Sequence, residues 1–399
     1  MGAASPRRVV MHLEGLPIGG GTITAIELGG VLHADLGWDV VVCAAPGPAT
    51  AMLEERGLRY APAPAGAGGT GAARVRALVE VCARESPALV HAWDWRAIHT
   101  AHVGPWLVRG TPVLGTITEM QVPPGLPAGI HVTAVTEDLS RQHADPARVH
   151  VLDPPVNDVL DDPAVVDDRA FRTEHFSPDR AVHIVVVSRL ARAMKAEGIH
   201  QAIDAVALLP EHLAAELVIV GDGDAEDDLR HAAAAAEARA GRALVRFAGP
   251  MLDPRAAYKA ADIVVGMGTS AARALAFGRP VVVVGEGGFC RTFAPGTAAQ
   301  LIGAGFYGTA PFRGEPALAV QLAQLASDPA ERDALGAWAR PLIAERFGAR
   351  KVAAHLADIY RETVSSPERR GPRELARAVI ESYGAANIMR RERRAGVAA

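Results

Sequence analysis

The sequence predicts an α/β protein built from two doubly wound domains facing each other across a cleft. Three observations predict it. Apolar, β-branched runs alternate with alanine-rich helical segments, the pattern of parallel strands joined by crossover helices. That pattern halts once, at the Pro- and Asp-rich stretch "VLDPPVNDVLDDPAVVDDRAFRTEHFSPDR". It then restarts, and a chain of 399 residues is long enough for two domains with separate cores.

The strands of the first domain, residues 1–155, read in order as "RRVVMHL", "WDVVVCAA", "PALVHAW", "TPVLGTI" and "IHVTAV". The interrupting stretch is expected to be a linker over 156–180. The second domain, 181–345, begins at "VHIVVVSRL" and continues through "AELVIVGDG", "ALVRFAG", "ADIVVGMG" and "RPVVVVGEG". A helix over 346–364 would cross back to the first domain, and a basic tail over 365–399 follows. The tail segment "PRELARAVIESYGAANIMRRERR" reads as a packing helix with a solvated end, so no membrane contact is expected of it.

Composition narrows the function classes. Hydrophobic residues at 49% and charged residues at 22% describe a globular chain, not a disordered one. A net charge of −4 gives no bulk attraction to nucleic acid. No apolar run approaches the roughly 20 residues of a membrane span, and "MGAASPRRVVMHLEG" lacks the apolar core of a signal peptide. Cys43, Cys82 and Cys290 are scattered, with no CxxC pair, which suits a reducing cytoplasm. Oligomeric state leaves no trace in the sequence.

In open α/β sheets ligands bind outside the carboxyl ends of the strands. The strand-to-helix loops therefore carry the candidate chemistry. Gly20 and Gly21, in "LPIGGGTITAIELGG", precede a helix whose N-terminus favours an anion; a tight structural turn is the alternative. Arg189 lies just past a buried strand and Lys195 follows it, a guanidinium and an ammonium suited to sharing a diphosphate's charge. Gly221 permits the turn in "VIVGDGD". Gly268, Thr269 and Ser270 form a small polar turn at the start of a helix, where free N–H groups hold phosphate. In "HAWDWRAIHTAHV", His91, Trp93 and Asp94 close a strand; His91 reads equally as a cleft residue or a core histidine. His99 and His102 share a helix face, but no third ligand has metal spacing, so no metal is expected.

The motifs "SRL…K", "VIVGDGD", "FAGPM", "KAADIVVGMG" and "RALAFGRPVVVVGEGG" occur in that order. Together they resemble the donor-binding domain of GT-B glycosyltransferases, most closely the retaining family 4. The first half resembles the same family through "GGGTITAIELGGVLHADLGWDVVV", "VHAWDW" and "VTEDLSRQH", and the likeness spans roughly residues 7–362. It implies a C-terminal domain for a nucleotide-diphosphate sugar and an N-terminal domain for an acceptor. Arg189 and Lys195 would hold the donor diphosphate, supported by Gly268, Thr269 and Ser270. Met251 and Leu252 would edge the base, and Gly20 and Gly21 would lie against the phosphates. No cofactor is implied beyond the nucleotide sugar as substrate.

Two departures from the family stand out. Its paired glutamates, in an E-x7-E pattern, are replaced by Val265 and Arg273, and a usual histidine is replaced by Thr118, beside Glu119. His91, Trp93, Asp94, Thr118 and Glu119 are the candidates on the acceptor side. Arg273 reads either as a new contact to the donor or as an outward helix arginine. Glu286 reads either as a replacement carboxylate for the donor sugar or as a turn acid. Retaining transfer of this type needs few protein acids or bases, because the leaving diphosphate accepts the acceptor's proton; the protein mainly positions and neutralises. The expected function is a metal-independent retaining glycosyltransferase acting on a small hydroxyl, amine or thiol acceptor, in the direction of natural-product biosynthesis. The alternatives are a GT-B relative with other chemistry, such as a sugar-nucleotide epimerase or pseudo-glycosyltransferase, and a catalytically inactive nucleotide-binding module.

Overall fold

The structure, a computed structural model, describes residues 7–64, 71–118, 122, 125–127, 129–142, 145–310, 317–368, 370–376 and 380–381. It divides into two compact units, Met1–Pro155 with Ala349–Ala399, and Val156–Gly348.

The first unit carries a seven-stranded parallel sheet. Its strands are β1 (Arg7–Gly15), β2 (Trp38–Ala45), β3 (Arg59–Pro62), β4 (Leu89–Trp93), β5 (Val113–Ile117), β6 (His131–Ala134) and β7 (Val149–Val151). They lie in the order β3-β2-β1-β4-β5-β6-β7. A parallel sheet is covered on both faces, so its strands read as continuous apolar runs; Val9, Val10 and Met11 of β1 are all fully buried. The helix Gly20–Ala34 covers one face beside β1, and the helix Ala349–Ser365 packs against it. Tyr360 from that last helix meets Trp38 edge to face at 5.0 Å.

The second unit holds a six-stranded sheet of β8 (Val182–Val187), β9 (Ala215–Val220), β10 (Val245–Gly249), β11 (Ile263–Gly266), β12 (Val281–Val284) and β13 (Cys290–Thr292). The order is β10-β9-β8-β11-β12-β13, parallel except for the antiparallel β13 at one edge. In both sheets the order reverses next to the first strand, between β1 and β4 and between β8 and β11. Each reversal opens a crevice at the carboxyl ends, the usual ligand position in such sheets.

The stretch expected to be a linker is folded into the second unit. Val156 N donates to Phe347 O at 2.7 Å and pairs in parallel with Gly348. A helix forms over Arg169–His175, with Phe171 and Phe176 buried in the second core. These apolar residues are too sparse and irregular among the prolines and aspartates to show a period. In the described part of the tail, the Ser366 carbonyl accepts from His131 and Arg148, and Arg370 donates to the Leu107 carbonyl. Residues 382–399 lie outside the described residues.

Candidate functional site

The crevice between β8 and β11 is built first by the backbone. Gly221, at φ 136°, ends β9, and a Cβ there would stand 1.9 Å from the Ser188 carbonyl oxygen. Only glycine lets this turn pass beneath the segment after β8. Leu190 N then donates to Asp222 O at 2.7 Å, and Ala225 N donates to Leu190 O at 2.8 Å. Gly221 thus shapes the loop that presents Arg189.

Arg189 is exposed and Lys195 is half-buried. Lys195 follows Met194, a non-glycine residue at φ 65°, and begins the turn into the helix Ala196–Ala207. Burial pushes the Lys195 ammonium down to about pKa 8; the Arg189 charge acts in the same direction, and the Glu286 carboxylate opposes it. Glu286 follows β12. Its Oε2 accepts a hydrogen bond from Tyr307, and its N–H donates to the Gly308 carbonyl at 2.9 Å. Burial, the bond to Glu286 and that carboxylate's charge raise the Tyr307 phenol. Glu197, one residue into the Lys195 helix, accepts from Gly288 N at 2.9 Å and ties that helix to the turn carrying Glu286.

At the end of β11, Gly268 stands at φ 57° as N-cap of the helix Thr269–Ala276. Its N–H donates to the Phe306 carbonyl at 2.9 Å. The next N–H groups, from Thr269 and Ser270, belong to the first helical turn and have no intrahelical acceptor. The Ser270 hydroxyl is already engaged: it donates to the Val187 carbonyl at 2.7 Å and accepts from the Tyr258 hydroxyl at 3.1 Å. Ser270 therefore ties the helix start to β8, leaving its backbone for an anion. Met251 and Leu252 follow β10 half-buried, with Met251 packed against the second core.

Arg273 does not point outward. It is buried, and its Nε lies 3.8 Å from Oδ2 of Asp161, whose side chain is fully buried. Arg255 donates to the other oxygen of Asp161 at 2.7 Å. Arg273 thus has its counter-charge in the stretch expected to be a linker. The Arg273 guanidinium is buried in this ion pair, which corrects the outward reading.

In the first unit, Gly20 and Gly21 open the helix Gly20–Ala34, behind the extended N-cap Gly19. A Cβ on Gly21 would lie 3.4 Å from the Thr118 side chain, so the glycine turn and Thr118 meet at the carboxyl ends of β1 and β5. Glu119 lies outside the described residues. Two of the acceptor-side candidates are corrected. His91 is fully buried; its Nδ1 bonds to the Tyr360 hydroxyl at 2.8 Å and its Nε2 to Thr116 Oγ1 at 2.6 Å. Burial pushes it down to about pKa 3, so it is a neutral core histidine. Trp93 is 2% exposed, its ring 4.6 Å from that of His91, so it presents no face for a sugar. Asp94 caps the helix Trp95–Ala101, accepting from Arg96 N and Ala97 N at 2.8 and 2.9 Å, with its own backbone at φ 78°. His102 meets Glu368 at 3.1 Å and stacks on Trp106.

Sequence reasoning missed Tyr307, Glu197 and Asp161. None sits in a recognisable motif, and each reaches its partner only through the fold.

Residues 181–328 match the family model described as glycosyl transferases group 1. No curated protein matches the chain. Among solved structures, HepE of Anabaena, solved with UDP and glucose, is similar at 17% identity and a TM-score of 0.71, covering 89% of this chain and all of its own. Sucrose-phosphate synthase of Thermosynechococcus elongatus is similar at 18% identity and a TM-score of 0.68, over 90% of this chain and 99% of its own. A glycosyltransferase of Rickettsia africae is similar at 17% identity and a TM-score of 0.69, over 90% and 98%. The chain has the two-domain, Rossmann-like GT-B fold, and with the group 1 domain over 181–328 this supports a GT-B glycosyltransferase.

Proposed function

We propose that the protein is a retaining glycosyltransferase that moves a sugar from a nucleotide diphosphate to a small-molecule acceptor without a metal ion. The observation that carries this reading is the grouping of Arg189, Lys195 and Glu286 at the carboxyl ends of β8 and β12, beside the helix start at Thr269. Two cations and a set of helix N–H groups suit a diphosphate. A carboxylate held by Tyr307 suits the hydroxyls of the attached sugar. HepE, solved with UDP-glucose, shares the fold.

The chemistry asks little else of the protein. The bond from the sugar's anomeric carbon to the diphosphate oxygen breaks while the acceptor's oxygen, nitrogen or sulfur bonds to the same face. The acceptor's proton passes to the departing diphosphate. Arg189 and Lys195 stabilise the charge that grows on that leaving group, where preorganised charge has its largest effect. The first unit takes the acceptor in this reading, with the Gly20–Gly21 turn and Thr118 at its crevice. The buried free thiols Cys43, Cys82 and Cys290 suit a reducing cytoplasm, and no helix among the described residues is long and apolar enough to cross a membrane.

The test is a calorimetric panel of UDP, GDP, ADP and TDP with their sugars, followed by turnover of Arg189→Ala and Lys195→Ala. Each variant is expected to lose about 2–4 kcal/mol of transition-state stabilisation with little change in melting temperature. Wild-type turnover in both would remove the donor-site assignment, and failure of every nucleotide to bind would remove the enzymatic reading.

A further inference from the structure

Three side chains at the far edge of the first sheet have no part in the reading above. His131 opens β6, His150 is the middle residue of β7, and Glu362 lies in the helix Ala349–Ser365. Thr133 pairs with His150 in the β6–β7 register. Residues two apart on a strand share a face, so His131 and His150 lie on the same face, one step apart diagonally. His131 Nδ1 stands 3.1 Å from His150 Nε2. Two nitrogens bound tetrahedrally to zinc at about 2.0–2.1 Å would be roughly 3.3 Å apart. A Glu362 carboxylate oxygen completes a set of three ligand atoms all within 4.8 Å of one another.

A second, independent observation concerns the other nitrogen of His131. Its Nε2 lies 3.0 Å from the Ser366 carbonyl oxygen. A carbonyl only accepts, so the ring hydrogen sits on Nε2, and the Nδ1 lone pair faces His150 and Glu362. Metal-binding histidines are commonly held in this way through their second nitrogen. Arg148 donates to the same carbonyl at 3.2 Å and helps to fix it. His131 is buried, His150 is half-buried and Glu362 is exposed, so the cluster opens to water on one side.

We propose that His131 Nδ1, His150 Nε2 and a carboxylate oxygen of Glu362 bind one divalent first-row cation, Zn²⁺ foremost, with water in the fourth position. Two imidazoles and one carboxylate are a donor set such ions accept. Binding replaces the hydrogen bond between the two rings. Because the ligands come from two strands and the helix Ala349–Ser365, the ion would fasten that helix to the sheet edge. The proposal is independent of the donor site, which it neither touches nor requires.

The test uses the full chain, stripped with a chelator that is then removed. ZnCl₂ is titrated in competition with a chromophoric chelator at neutral pH. One equivalent is expected to bind. His150→Ala and Glu362→Gln are each expected to weaken it at least tenfold, whereas His355→Ala, whose ring faces the Val151 carbonyl, leaves it unchanged. Co²⁺ should give the visible bands of a four-coordinate site, and Zn²⁺ should raise the melting temperature of the wild type but not of His150→Ala. Substoichiometric binding would overturn the site, as would one equivalent held with wild-type affinity by both variants. Glu362 is exposed, so Glu362→Gln decides the matter even if His150→Ala fails to fold.

Discussion

Tyr360 and His91 lie 269 residues apart in sequence, yet the Tyr360 hydroxyl stands 2.8 Å from His91 Nδ1 inside the first unit. The bond belongs to a chain that runs on from His91 Nε2 to Thr116 and then to Thr133 at 2.7 Å. Tyr360→Phe keeps the ring packing and leaves His91 Nδ1 without its partner. An unsatisfied buried polar group costs about 1–3 kcal/mol. Urea unfolding is expected to show that loss while nucleotide affinity stays as in the wild type. A variant as stable as the wild type would contradict this account of the network.

Buried histidines make the first unit sensitive to acid. Burial pushes His12 and His99 down to about pKa 4 and His91 to about 3. In the unfolded chain each titrates near 6.5, so the unfolded state takes up protons first as the pH falls. The contribution is therefore complete above about pH 6.5 and is lost progressively toward pH 4. Each group can add up to about 1.4 kcal/mol per pH unit to the slope. His12→Asn keeps a donor for the Cys43 carbonyl, which His12 Nδ1 meets at 2.9 Å. It is expected to flatten the slope of unfolding free energy between pH 6.5 and 5. An unchanged slope would show that His12 is not the source.

Lys195 sets a pH dependence of opposite sense on ligand binding. Burial and the Arg189 charge hold its ammonium near pKa 8. A diphosphate binds the protonated form better, so its affinity should fall as the pH rises through 8. Binding should draw in protons around that pH, because the bound anion raises the Lys195 pKa again. Calorimetry in buffers of different ionisation enthalpy measures this uptake directly. Lys195→Arg should bind with no uptake near pH 8. Uptake that persists in Lys195→Arg would assign the proton to another group.

Arg273→Glu tests the buried ion pair. It would set a second carboxylate against Asp161, which already receives Arg255 and the Asn157 N–H. Breaking a buried pair from one side costs about 3–5 kcal/mol. The second unit is expected to lose stability by that order in denaturant. Asp161→Asn with Arg273→Gln, which removes both charges, should lose less than Arg273→Glu alone. Full stability with selectively weakened nucleotide binding would place Arg273 in the donor site instead.

Tyr307→Phe and Glu286→Gln test the proposed contact of Glu286 with the donor sugar. The Tyr307 hydroxyl fixes the Glu286 carboxylate. Removing either group should weaken the nucleotide sugar by about 1–3 kcal/mol, the cost of a lost buried hydrogen bond, with free nucleotide binding little changed. Titration of both ligands against both variants separates the two effects. Equal weakening of nucleotide and nucleotide sugar would move Glu286 from the sugar to the diphosphate.

The sequence by itself determined the two-domain α/β architecture, because its strands are continuous apolar runs such as Val281–Val284 and its helices lie between them. It also determined that glycine turns follow the strands, since Gly221 and Gly268 adopt positive φ just past β9 and β11. Which way the side chains face was decided by the tertiary structure alone. His91 turns inward because Tyr360, on the helix Ala349–Ser365, supplies its partner. Arg273 turns inward because Asp161, in a stretch without any period, supplies its counter-charge. Glu286 is held by Tyr307, 21 residues further along, and His131, His150 and Glu362 meet only where two strands and a helix cross. Burial and charge pairing depend on partners distant in the chain, and no local pattern in a sequence records them.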